Sequence, residues 1–169
     1  MRIAAFLSTA LIASAAAVSA QAGPLGPVAT INVTIGEDLA AKAEKYGPRD
    51  LDYLAADLRE SVERSLSRSG DLAPAGGSLD LVIEDAIPNR PTFRQMSATP
   101  GLSYESFGIG GAEISGVLTT ADGRTIPVGY RWYESDIRWS MGTSTWSDAQ
   151  NTFDRFSRRL VKGEALAAR

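Results

Sequence analysis

Residues 50–69 read DLDYLAADLRESVERSLSRS, and this stretch decides the fold. Leu51, Leu54, Leu58, Val62 and Leu66 recur at spacings of three and four. That period puts them on one stripe of a helix, while Asp52, Arg59, Glu60, Glu63 and Arg64 cover the remainder. Pro48 stands just before the stretch, and Gly70 just after it suits a helix C-cap. A helix with one apolar stripe needs one apolar surface to lie on, so the flanking segments should supply a half-buried sheet.

They do. Upstream, Ala29, Ile31, Val33 and Ile35 alternate with Thr30, Asn32 and Thr34, which predicts a strand. Downstream, Leu79, Leu81, Ile83 and Ile87 alternate with Asp80, Glu84 and Ala86 in a second strand, stopped by Pro88. Ala112, Ile114, Gly116 and Leu118 mark a third. Ile126, Val128, Tyr130 and Trp132 mark a fourth. Ala121-Asp122-Gly123-Arg124 between the last two is a hairpin turn, in which Asp-Gly supplies the positive φ angles a tight turn needs. Ser147 opens a second helix, with Gln150 at the capping-box position and Ala149, Phe153, Phe156 and Leu160 as its apolar stripe. The order β-α-β-β-β-α gives an α+β fold, a two-layer sandwich. A four-stranded, mostly antiparallel sheet carries both helices on one face, and strands two to four form a meander.

Residues 1–22 are an address. Met1-Arg2 gives a positive start, and Ile3 through Val18 is apolar or small, shorter than the roughly 20 residues of a membrane span. Small-x-small patterns follow, so cleavage is expected after Ala20 or Ala22. Residues 23–27 form a Gly/Pro linker, 28–163 a single domain, and 164–169 a fraying tail. The expected location is the periplasm or the outside of the cell, with no membrane anchor left after cleavage. Arginine greatly outnumbers lysine, a bias that points to a GC-rich bacterial genome.

Composition closes several function classes. There is no cysteine and no histidine. Disulfides, thiolate nucleophiles and Ser-His-Asp chemistry are therefore excluded. The commonest transition-metal ligand is missing too, and neither a metal nor a cofactor is expected. The net charge of −3 lacks the footprint of a nucleic-acid binder.

Following chain direction, three long connections meet at one end of the sheet: 36–49, 88–111 and 134–146. The 88–111 segment exceeds the ~15 residues above which structureless loops become uncommon and often functional. These loops carry Phe93, Met96, Tyr104, Phe107, Trp139, Met141 and Trp146. Such a density of large apolar groups predicts either a self-packed lid over the end of the core or a contact surface built on part of that lid. Both helices start at this end beside Arg49, Arg94 and Arg138, an anion-site pattern. Asp50, Asp52 and Asp148 in the first turns oppose it.

The remaining chemical candidates are carboxylates. Glu134 and Asp136, joined by Glu105, have the residue types of a glycosidase acid–base pair or a calcium site, although calcium-loop spacing is absent. Nearby Arg131 and Arg138 supply the plainer reading of a surface ion-pair cluster. Gly108-Ile109-Gly110-Gly111 has the glycines of a phosphate loop, but a strand follows instead of a helix. These glycines are expected to permit a tight start to the third strand. Arg131 and Tyr133 share the polar sheet face with Asn32, Thr34, Asp80, Glu84 and Ser115, the ordinary solvated side. The reading that results is a non-enzymatic envelope module. It binds an envelope protein or polymer through Phe93, Arg94, Tyr104, Phe107, Trp139 and Trp146. The alternatives are a histidine-free carbohydrate-active hydrolase built on Glu105, Glu134 and Asp136, or a protease inhibitor offering the long Pro/Gly loop.

Overall fold

The computed structural model describes residues 24–140 and 144–165. The expected signal segment, Met141 and residues 166–169 of the expected tail lie outside the described residues. The chain runs β1 (Val28–Ile35), α1 (Glu37–Ala40), α2 (Ala43–Tyr46), α3 (Pro48–Ser69) and β2 (Gly77–Ile87). It continues through α4 (Phe93–Ala98), β3 (Gly111–Thr119), β4 (Thr125–Tyr133), a 3-10 turn (Ile137–Ser140) and α5 (Ser147–Val161).

The sheet order is β1-β2-β3-β4, with β1 parallel to β2 and the other two pairings antiparallel. The fold is α+β, and the meander of β2, β3 and β4 is present. α3 packs on β1, α5 packs on β3 and β4, and the two helices pack on each other. The expected stripe of α3 is buried in full, and Phe153 and Phe156 of α5 fill the centre of the core. Gly70 ends α3 in the left-handed conformation (φ +81°), where a side chain would be strained.

The expected order is matched only in part, because the connections 36–49 and 88–111 hold the short helices α1, α2 and α4. Four further details of this fold depart from the sequence reading. Two are irregularities of register. Ala29 is an extra residue between the pairs Val28↔Gly77 and Thr30↔Ser78, so Val28 faces the core and Ala29 faces solvent. A second irregularity between Ile83 and Asp85 inserts Glu84. Because side-chain direction alternates along a strand, one extra residue flips everything beyond it. Ala86 is therefore buried and Ile87 is 39% exposed, the reverse of the simple alternation.

The other two concern turns and ends. In the β3–β4 hairpin only Gly123 takes a positive φ, and Gly123 N–H donates to Thr120 O at 2.8 Å. This is a turn ending in one left-handed residue, not a two-residue turn with both positive. At the domain ends, Leu25 packs against the core and Ala165 is 2% exposed. Ala165 O accepts from Gly129 N–H at 2.9 Å, and Pro27 O accepts from Gly77 N–H at 2.9 Å. Leu25 and Pro27 of the expected linker and Ala165 of the expected tail belong to the packed domain: Leu25 by its side chain, Pro27 and Ala165 by completing hydrogen bonds of β2 and of the edge strand β4.

Candidate functional site

The long connections converge where the sequence places them, at the end of the sheet where β2 and β4 finish. Their organising residue is Asn89, just beyond Pro88, with 1% of its surface exposed. Its backbone N–H donates to Thr145 O at 2.7 Å, and its backbone carbonyl accepts from Gly108 N–H at 2.8 Å. Its side-chain amide donates to Asp148 Oδ2 at 2.5 Å and accepts from Asp148 N–H at 2.8 Å. Asp148 Oδ2 also accepts from Gly110 N–H at 3.0 Å. One buried amide–carboxylate pair thus ties the 88–111 loop, the 134–146 loop and the first turn of α5 together. Buried polar groups this fully paired make a local structure rigid.

Gly110 must be a glycine for this closure. A Cβ there would sit 2.6 Å from Ile87 O and 2.8 Å from Asn89 Oδ1. The glycine run is a tight start to β3, as read from the sequence. The capping box expected at Ser147 and Gln150 is absent. The N-cap of α5 is Trp146, without a side-chain hydrogen bond, and Gln150 Nε2 donates to Tyr53 Oη at 2.8 Å. A complete capping box occurs instead at Thr92 and Gln95, starting α4 inside the long loop.

On this scaffold the aromatic residues divide into two groups. Trp146 is 4% exposed; its Nε1–H donates to Asp50 Oδ1 at 2.8 Å and its ring meets Tyr46 edge-on at 5.6 Å. Trp146 therefore belongs to the core and offers nothing to a partner, which corrects its expected role. Phe93 and Trp139 are the opposite, 81% and 73% exposed. Tyr104, Phe107, Ile109 and Ile137 are exposed as well. Buried Arg90 holds the first two of these: its Nη1 donates to Tyr104 O at 2.6 Å, and its guanidinium lies 5.1 Å from the Tyr104 ring and 6.0 Å from the Phe107 ring. A shallow cleft of about 190 Å³ opens beside them, lined in part by Pro91, Gln95, Leu102 and Phe107. Arg94 is exposed but braced, donating from Nε to Glu44 O at 3.2 Å and joining α4 to α2.

The carboxylates are locally engaged. Glu134 Oε1 accepts from Ser135 N–H and Asp136 N–H at 2.8 and 3.0 Å, closing its own turn. Arg138 grips Asp136 through Nε and Nη2, and this pairing holds the Asp136 carboxyl below its ordinary range. A carboxylate held so is a poor proton donor near neutrality. Glu105 is exposed in the long loop. Of the three arginines in the anion-site pattern, Arg94 and Arg138 have these internal partners, while Asp148 occupies the first turn of α5. Among the described residues no cluster of three or more acidic side chains could hold a metal ion.

A second polar group lies at the same end on the outer sheet face, assembled by the register shift at Glu84. Asp85 accepts from Lys42 Nζ at 2.6 Å and from Tyr133 Oη at 3.0 Å. Burial alone would raise the Asp85 carboxyl, but these two donors outweigh it and hold it below its ordinary value. The hydrogen bond that Lys42 donates to Asp85 in turn raises the Lys42 ammonium. Burial, reinforced by Asp85, pushes the Tyr133 phenol well above its usual range. Glu84 accepts from Ser115 Oγ beside it. Sequence reading placed Tyr133, Glu84 and Ser115 on this face and missed Asp85, which the register shift brings there, and Lys42, which lies between α1 and α2 in a connection read as a loop.

A scan against protein-family models finds none that matches this chain, and no curated protein matches it either.

Proposed function

We propose that the protein is a secreted or periplasmic envelope module without catalytic activity, which binds another envelope protein or polymer through its loop end. The contact residues are Phe93, Tyr104, Phe107 and Trp139, with Arg94 at the rim. The carrying observation is that Phe93 and Trp139 stand almost fully in solvent on loops fastened by the buried Asn89–Asp148 pair. Large aromatic anchors on a rigid base bind with little loss of conformational freedom. A lid made only to close the core would turn these rings inward, as it does Trp146.

Site-specific photo-crosslinking in intact cells tests this. A photoreactive phenylalanine analogue is placed at Phe93, at Trp139 and, as a control at the far end, at Arg124. The proposal expects one discrete adduct from positions 93 and 139, none from 124, and loss of the position-139 adduct when Phe93 and Phe107 are both changed to Ala. Equal labelling from all three positions, or none from any, overturns it.

A further inference from the structure

The second half of α5 carries Arg155, Arg158 and Arg159 on its exposed side, and Lys162, the residue that caps it, continues the row. At about 3.6 residues per turn they fall in one arc, opposite the buried Phe153, Phe156 and Leu160. The nearest carboxylate in sequence, Asp154, is turned toward α3, where it accepts from Ser61 Oγ at 2.8 Å. Most other arginines have internal oxygen partners. Arg64, Arg124, Arg131 and Arg138 pair with carboxylates, and Arg68, Arg90 and Arg94 donate to backbone carbonyls. Arg155, Arg158 and Arg159 donate to no protein oxygen among the described residues. Arg49 and Arg59 share that property, but they stand among acidic residues; Arg59 shares its groove with Asp52, Glu60 and Glu63.

Two of the arc's cations are held in place without using their donors. The Arg155 guanidinium lies 4.2 Å from the Trp132 ring centre, and that of Arg159 lies 5.2 Å from the Tyr130 ring centre. The spacings match. Four residues of helix rise about 6 Å, and two residues of strand rise about 6.6 Å, so rings on β4 and arginines on α5 pair off as rungs. Such contact places a guanidinium beside a ring without consuming a hydrogen-bond acceptor of the protein. In a chain of net charge −3, these four cations are a local reversal of sign.

We infer that this arc docks the protein on a bilayer surface rich in anionic phospholipid headgroups. Phosphate oxygens accept arginine N–H groups two at a time. The arc is convex, so it cannot enclose a free anion as a concave site does, but it can meet several headgroups of a flat surface at once. Four or more cations on one face of an amphipathic helix is the pattern that anionic lipid recognises. The arc begins roughly 12 Å down α5 from the loop end, so the inference stands independently of the proposed partner surface.

The test is co-sedimentation of the processed protein with vesicles of phosphatidylcholine, with and without phosphatidylglycerol. Binding should require phosphatidylglycerol and weaken as salt rises. R155Q/R159Q should weaken it about 25-fold, at about fivefold per cation near an anionic surface. R155K/R159K, which keeps the charges, should retain most of it. R49Q/R59Q, with the same change in net charge, should stay within about twofold, and circular dichroism shows whether each variant is folded. No preference for anionic vesicles overturns the inference. So does an equal loss in R49Q/R59Q, or binding to soluble polyphosphate without binding to vesicles.

Discussion

Two polar clusters lie against the helical layer, and they are built differently. At the loop end, Asn89 and Asp148 satisfy one another and also hold Gly108, Gly110 and Thr145. Between α3 and α5, Ser61 bonds to Asp154 and Ser157, but Asp57 Oδ2 is buried with no hydrogen-bond partner among the described residues. Burial, only partly offset by Gln150, pushes the Asp57 carboxyl above its ordinary value. The first cluster stabilises two long connections and the start of α5 at once; the second costs stability at neutral pH. The difference shows where closure is demanded. Two helices with apolar stripes pack whether or not every polar group between them is paired, whereas two long loops hold a shape only if their backbone groups are.

The largest expected effect separates the two tryptophans that frame this end. Trp146→Ala should destabilise by about 3–5 kcal/mol in denaturant unfolding, because it empties a packed site and strips Asp50 of its donor. Trp139→Ala should change stability by less than about 0.5 kcal/mol, because its ring faces solvent. Next comes the pair itself. Asn89→Ala leaves a buried carboxylate short of partners and should cost about 3 kcal/mol. Gly110→Ala follows at about 1–3 kcal/mol, since the new methyl meets Ile87 O and the Asn89 side chain.

Asp57→Asn should act with the opposite sign. A carboxyl whose folded value is raised opposes folding once it ionises, so stability falls as pH rises through that value. The amide removes that cost and should stabilise at pH 7 by a few tenths to about 1 kcal/mol, reduced by partial exposure. The smallest effect belongs to Lys42 and Asp85. Asp85 is held below its ordinary value of 3.8, so its contribution is present above that pH and disappears as pH falls through the lowered one. Asp85→Asn should flatten acid unfolding in that window and shift neutral stability by less than about 1 kcal/mol, measured by denaturant titration across pH.

Much of the fold was readable because it rests on periodicity. The α3 stripe and the four alternating strands each repeat a local rule, and both helices and the meander follow. The register shifts at Ala29 and Glu84 break that rule for one residue each. Only the adjacent Glu84-Asp85 pair, two polar residues in an alternating strand, could have signalled one of them. The loop end was located correctly from chain direction, but the residue holding it was not. Asn89 and Asp148 lie 59 positions apart, and no local pattern links them. For the same reason Trp139 and Trp146 look equivalent in sequence, one loop apart, although one faces solvent and the other meets Asp50 and Tyr46.

Native-state hydrogen exchange tests the central claim most directly, that the loop end is a rigid platform and not a set of mobile loops. The amides of Asn89, Gly108, Gly110 and Asp148, all donors in the buried network, should exchange only through openings close to global unfolding. The exposed hairpin at Asp122 should exchange quickly, and Asn89→Ala should collapse protection in both long loops together while β2 and α3 stay protected. Fast exchange at Gly108 and Gly110 in the unmodified protein, as fast as in the hairpin, would contradict the account.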